Sequence, residues 1–388
     1  MIANRQRRKR WRSISVGVLA VAGALPLASG AAAEPLVPLP AQPEGLPWPT
    51  KEWPRGPLPA GVPAAEVERL LAVTRATHPL LGETRAVVII HRGKLVAEQY
   101  RDGFGPNTPL ISWSMAKSIT QAMVGVAARQ GLVDIDKPMG NPHWEPGDPR
   151  AAIPWRQWLQ MVDGQRYHEI DARNPTTNDA ARMLYGDGRL DVAAWAASLP
   201  LAHAPGTRWN YNSAGINLVS NALGRLFAPG AAAADRRAKM QETLQRELFG
   251  PLGMTSAEPE FDAAGTFIGS ALVYATARDF AKFGLLYARD GVWNGRRILP
   301  AGWVDFARTH TSAAGGKGYG AGWWLTPPAG QRPLPRDLFT AQGHEGQLIT
   351  VVPSKDLVLV RLGRFDDRTG FPALRDWMEE LVPLFPDL

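Results

Sequence analysis

Strand-forming segments stand at both ends of this chain, with helical ones between. Residues 86–90, Ala-Val-Val-Ile-Ile, are an apolar, largely β-branched run; Arg92-Gly93-Lys94 is turn-forming, and residues 95–100 read as the return strand of a hairpin. Strand patterns come back late, at 319–325, 346–352 and 357–362, before a last helix near 372–381. A lone hairpin is marginal in water, so the early pair must find its sheet partners at the far end of the chain. Between the two ends the apolar spacing is helical, and helices are expected at 64–77, 119–128, 155–161, 191–198, 214–227, 232–249 and 276–290. The pattern gives an α+β fold: a split sheet domain, about 64–133 with 266–388, carrying an inserted, mostly helical domain at about 134–265. Clefts between such parts are where ligands bind.

The charge balance is uneven along the chain. There are 43 Lys and Arg against 36 Asp and Glu, a net of +7. Arg5, Arg7, Arg8, Lys9, Arg10 and Arg12 all fall in the first 33 residues, which hold no acid; setting those six aside leaves 37 basic against 36 acidic groups. The basic excess is therefore a leader and not a nucleic-acid footprint. Residues 1–33 pass from this basic stretch through an apolar run, 14–27, to Ala31-Ala32-Ala33, the pattern of a secretory signal peptide cleaved after Ala33. A periplasmic or secreted protein is implied. The apolar run is shorter than the ~20 residues a membrane span needs, so no stable span is expected after cleavage. Residues 34–63 are Pro-rich and aperiodic, and read as an N-terminal arm lying on the domain or as a loose spacer before a domain at 64–388. With no Cys, the chain has neither a thiol nucleophile nor a Cys-based zinc site.

Chemistry enters with Ser114-Met115-Ala116-Lys117. Residues three apart share a helix face, so the lysine amine can reach the serine oxygen, and an unprotonated lysine can take a serine's proton. The helix that follows is apolar, and desolvation there pushes a lysine toward its neutral form. With 13 Ser and 9 Lys in the chain, chance supplies about 0.3 such pairs, so the pair alone is matched by a capped helix bearing a surface lysine. Two more segments bear on the choice. Tyr211-Asn212-Ser213 precedes a helix; Tyr211 is either a proton relay or a buried, hydrogen-bonded phenol. Gln342-Gly343-His344-Glu345-Gly346-Gln347 opens the late strand pair; its glycine marks either a ligand's approach to the backbone or a bulge, and the amide of Gln347 is a candidate oxyanion donor. The Gly-rich run 315–320 follows no strand and opens no helix, the seven His are scattered, and Gly-x-Ser-x-Gly is absent; nucleotide, metal and α/β-hydrolase readings fall away.

Ser114-x-x-Lys117, Tyr211-x-Ser213 and His344-x-Gly346, in this order and spacing, resemble the serine β-lactamase and penicillin-binding-protein superfamily, in its class C and esterase branch. Leu248-Phe249-Gly250-Pro251-Leu252-Gly253-Met254, Ala275-Thr276-Ala277-Arg278-Asp279 and Tyr319-Gly320-Ala321-Gly322-Trp323-Trp324 agree, over residues 86–363. Ser213 stands where class C enzymes have Asn, and His344 where β-lactamases have Lys. Both look more like carboxylesterases and amide hydrolases of the 6-aminohexanoate-dimer hydrolase type. The resemblance implies a β-lactamase/transpeptidase-like fold, an antiparallel sheet flanked by helices. It implies an exported serine hydrolase that cleaves a small ester, amide or short peptide through an acyl-enzyme on Ser114, with Lys117 and Tyr211 as coupled general base and acid. The Ser114 and Gln347 amides would form the oxyanion hole, and His344, Gly346, Ser213 and Tyr167 would bind substrate, with no metal or organic cofactor. A weak β-lactamase, a D-amino-acid peptidase and a non-catalytic binder of peptidoglycan peptides are the alternatives.

Overall fold

The computed structural model describes residues 35–388 apart from 47, 170–177, 317 and 326–332, and only the backbone of 367 and 368. The signal peptide expected at 1–33 lies outside the described residues.

Strands β1 (Glu83–His91) and β2 (Lys94–Tyr100) are the early hairpin. Arg92 and Gly93 join them with φ of 49° and 71°, the left-handed pair that suits the twist of a tight hairpin. The late strands are β3 (Trp324–Leu325), β4 (Phe339–Gly343), β5 (Gln347–Val352) and β6 (Leu357–Arg364). Together they make a six-stranded sheet in the order β2-β1-β6-β5-β4-β3, with every neighbouring pair antiparallel. The first hairpin thus closes directly on the last strand, with Ala86 opposite Leu362 and Ile90 opposite Val358.

Both faces of the sheet are covered, which is why β1 reads as an unbroken apolar run. Val88 and Ile90 pack on one side with Ile119 and Met123 of helix α2 (Ala116–Arg129) and Phe280 and Phe283 of helix α4 (Ala277–Ala288). Val87 and Ile89 pack on the other with Leu70 of helix α1 (Ala64–Leu71) and Leu374 and Trp377 of helix α5 (Asp367–Leu381). The fold is that of an antiparallel sheet flanked by helices, as expected. Helix α3 (Ser213–Phe227), buried along most of its length, packs against α2 from the middle of the chain.

Some boundaries differ from expectation. The first helix ends at Leu71 and continues as a 3-10 turn to Thr74. Of the strand expected at 319–325, only Trp324 and Leu325 pair with β4; Gly320 and Gly322 instead press the chain against Ala307 and Gln121, too closely for a side chain. The last helix begins ahead of Pro372, and β4 was not expected at all.

Candidate active site

Ser114 lies in a 3-10 turn, Trp113–Met115, that feeds straight into α2. Trp113 has φ +42°, a left-handed conformation that costs about 1–3 kcal/mol in a non-glycine residue. The buried Ser112 over-determines it: its N–H donates to Val273 O (2.8 Å), while its hydroxyl donates to Ala271 O (3.1 Å) and accepts from Val273 N (3.1 Å). The turn is so riveted to residues 271–273 that Ser114 is presented half-buried at the start of α2.

Lys117 sits one turn along and is 1% exposed. Its ammonium donates to Ser114 Oγ at 2.8 Å and to the Ser270 carbonyl at 2.8 Å, and lies 4.8 Å from the Tyr211 ring centre. Among the described residues no carboxylate pairs with it. Burial lowers its pKa from 10.5 to about 8, against the opposing charge of Glu169. The Ser270 carbonyl reaches it because Gly269 lets the chain pass between α2 and α3; a Cβ there would meet Thr120 Oγ1 at 2.1 Å and Ser220 Oγ at 2.3 Å.

Tyr211 closes the group from the start of α3. The next residue, Asn212, caps that helix by accepting from Gly215 N (3.0 Å), and its amide donates to Asp163 Oδ1 (2.9 Å) and Gln165 Oε1 (3.2 Å). The Tyr211 ring packs among Trp324 (5.2 Å), Tyr319 (5.9 Å) and Trp209 (6.3 Å). Burial first, then the Glu169 charge, hold its phenol well above the ordinary value; hydrogen bonding to Ser114 and Trp324 pulls the other way. The structure therefore gathers Ser114, Lys117 and Tyr211, which the sequence brings together from two separate segments.

The remaining candidates fare differently. Ser213 is buried and committed: its hydroxyl donates to Glu169 Oε1 at 2.7 Å and its N–H to Oε2 at 3.1 Å. Glu169 is thus a charged member of the site, two residues beyond Tyr167 on the loop that resemblance to the family places at the pocket. Tyr167 is 3% exposed, and its hydroxyl has no hydrogen-bond partner among the described residues. His344 is exposed, its ring edge-on to Trp113 at 5.3 Å. Gly346 is not the glycine beside the nucleophile. A Cβ on Gly346 would strike the Phe365 ring at 2.1 Å and Arg361 Nη1 at 2.5 Å, whereas one on Gly343 would meet Ser112 O at 2.3 Å and Trp113 Cβ at 3.0 Å. Residues 344–346 form the turn between β4 and β5, and Gln347 stands opposite Gly343 in the ladder. The close approach thus falls at Gly343, four residues ahead of the predicted donor Gln347. Two surface clefts, one including Arg237 and Tyr274 and the other Lys51 and Arg278, include none of these groups.

The family model described as Beta-lactamase matches residues 83–377. The 6-aminohexanoate-dimer hydrolase of Paenarthrobacter ureafaciens is 24% identical over 315 residues, 76% of this chain and 75% of that protein. Among solved structures, a Bacillus anthracis protein provisionally named 6-aminohexanoate-dimer hydrolase aligns over 87% of this chain and 89% of its own at 19% identity, with a TM-score of 0.66. A family VIII carboxylesterase aligns over 85% and 99% at 14% identity, with a TM-score of 0.61.

Proposed function

Because the chain belongs to the beta-lactamase family, a family of serine hydrolases, we propose that it cleaves a small ester or amide through an acyl-enzyme on Ser114. The observation that carries this reading is the buried Lys117 nitrogen 2.8 Å from Ser114 Oγ. Neutral Lys117 takes the Ser114 proton as Oγ attacks the substrate carbonyl. The oxyanion that forms is met by backbone N–H groups, one from Ser114 and one from His344 just past Gly343, in place of Gln347. Each such donor is worth roughly 3–4 kcal/mol in comparable sites. Protonated Tyr211 passes a proton to the leaving alcohol or amine and is refilled from Lys117; water then attacks the acyl-enzyme by the reverse route. Burial favours this assignment, since it disfavours a lysine cation and a tyrosine phenolate alike.

His344, exposed beside Trp113, is the substrate-facing side chain in this reading. Ser213 acts through Glu169, with both its donors turned to that carboxylate. Residues 1–33 direct export to the periplasm or medium. The experiment is chemical: a fluorophosphonate probe labels the mature protein and not Ser114→Ala, and p-nitrophenyl esters and short oligoamides, set beside nitrocefin and D-alanyl peptides, identify the bond cleaved. Labelling that survives Ser114→Ala would assign the nucleophile elsewhere.

A further inference from the structure

Arg361 lies in β6, in the middle of the sheet, and is 1% exposed. A buried guanidinium is expensive to desolvate, and among the described residues no carboxylate pairs with this one. Its N–H groups go to neutral acceptors. Nη1 donates to Gly346 O (2.9 Å) and Glu345 O (3.1 Å); Nη2 donates to Leu81 O (2.7 Å) and Thr84 Oγ1 (3.0 Å); Nε donates to Thr84 Oγ1 (3.3 Å). The guanidinium carbon stands 4.9 Å from the Phe365 ring centre. Two glycines make the room: a Cβ on Gly363 would lie 2.7 Å from Nη2, and one on Gly346 2.5 Å from Nη1.

The two carbonyls on Nη1 belong to the turn between β4 and β5. Glu345 and Gly346 are both left-handed there, with φ of 60° and 84°. At Glu345 that conformation is strained, and it persists only when its surroundings over-determine it. The same hairpin presents Gly343 to Ser112 and Trp113, and the His344 ring to Trp113. One side of the hairpin end therefore rests on the nucleophile's turn and the other is gripped by a cation tied to the start of β1. In a trans peptide C=O and N–H point opposite ways, so a cation on these two carbonyls fixes the amides of Gly346 and Gln347 directly and that of His344 only through the turn that carries all three.

We propose that Arg361 is a positioning residue: by holding the Glu345 and Gly346 carbonyls it sets the β4–β5 hairpin end against the Ser114 turn at the spacing the reacting carbonyl requires. The proposal rests on the serine-hydrolase reading for its kinetic consequence and on geometry alone for its structural one.

Two variants and two readouts test it. Arg361→Met removes every donor; Arg361→Lys keeps the charge but offers one nitrogen in place of a fork spanning the turn and β1. Kinetics are normalised to sites titrated with a fluorophosphonate. Arg361→Met is expected to lower kcat per titrated site roughly 10- to 100-fold with KM within about twofold, as for a misplaced oxyanion donor, and Arg361→Lys to recover part of it. Should Arg361→Met fail to fold, Arg361→Lys alone must still show the kcat deficit. The second readout needs no activity: amide hydrogen exchange in peptides covering 343–347 rises roughly tenfold in the variants while the β1–β2 hairpin stays protected. Unchanged kcat per titrated site with only a lower melting temperature would make Arg361 plain fold support, and unchanged exchange at 343–347 would overturn the proposal whether or not any ester is hydrolysed. If the wild type is neither labelled nor active, the functional reading fails by itself, and the exchange result still decides the role of Arg361.

Discussion

Replacing Lys117 by Met tests whether this amine is a buried base. Methionine keeps most of the length and the unbranched apolar stem and removes the charge. The wild-type ammonium is 1% exposed and has two neutral acceptors, Ser114 Oγ and Ser270 O. A pKa lowered from 10.5 to about 8 means that carrying the proton inside the fold costs about 3 kcal/mol relative to the unfolded chain, at ~1.4 kcal/mol per pH unit. The sign follows from proton counting. Between pH 8 and 10.5 the unfolded lysine holds a proton that the folded one has released, so folding stability rises with pH across that window and is flat on either side. Lys117→Met lacks this contribution. Urea unfolding followed by the fluorescence of the 14 Trp, at several pH values from 7 to 11, should show the wild-type-minus-variant difference grow by about 3 kcal/mol. Lost hydrogen bonds shift that difference by a constant and leave its slope untouched. The wild-type kcat/KM should rise with pH through an inflection near 8, and the variant should lose roughly 10²- to 10⁴-fold in rate. A pH-independent stability difference, or an inflection in the carboxylate or imidazole range, would refute the assignment of Lys117 as the base.

Glu169→Gln keeps an oxygen for the Ser213 donors but removes the charge that raises Lys117; the rising limb of kcat/KM should move to lower pH, and an unmoved limb would show that Glu169 acts only as an anchor. Gly343→Ala places a Cβ 2.3 Å from the Ser112 carbonyl, a backbone atom, so the strand end must back away from the nucleophile; activity should fall by roughly 100-fold, read against melting temperature to separate misplacement from unfolding. Asn212→Ala removes the cap of α3 together with the bonds to Asp163 and Gln165, and should cost about 2–3 kcal/mol in denaturant unfolding; a loss below half a kcal/mol, ~0.5, would show that Tyr211 is held by its aromatic neighbours instead.

The parts of the fold that sequence revealed are those where local pattern and tertiary demand agree. Ala86 to Ile90 is apolar throughout because both faces of β1 are covered, and Ser114 and Lys117 meet because three residues make almost one helical turn. Tyr211 carried a signal through the Tyr-x-Ser pattern ahead of a helix, the helix that Asn212 caps in the structure. What stayed hidden depends on contacts distant in sequence. The strand Phe339–Gly343 is short and partly polar, and is a strand by virtue of the neighbours it pairs with. The acceptor on Lys117 is a backbone carbonyl, which any residue offers, so nothing in the identity of Ser270 announces it. Gly343 and Gly346 are three apart and look alike on paper. They are told apart only by the left-handed turn at 345–346, which sends one toward Trp113 and the other toward Arg361.

One physical cause then accounts for the direction of both perturbed groups. Burial penalises charge, which lowers the pKa of Lys117 and raises that of Tyr211, so both groups are pushed in the direction of their neutral forms. Glu169, clamped by Ser213, works against the first effect and with the second: it makes Lys117 harder to deprotonate and Tyr211 harder still. With the amine's pKa near 8, about one site in ten holds the reactive neutral lysine at pH 7. The carboxylate therefore trades the population of the base for its strength, since a more basic lysine pulls harder on the Ser114 proton once it is neutral. An enzyme built this way works best on the alkaline side of neutrality, and removing the Glu169 charge should flatten its profile toward neutral pH while lowering the plateau rate. A plateau that rises in Glu169→Gln would mean that the charge serves substrate binding instead of the proton.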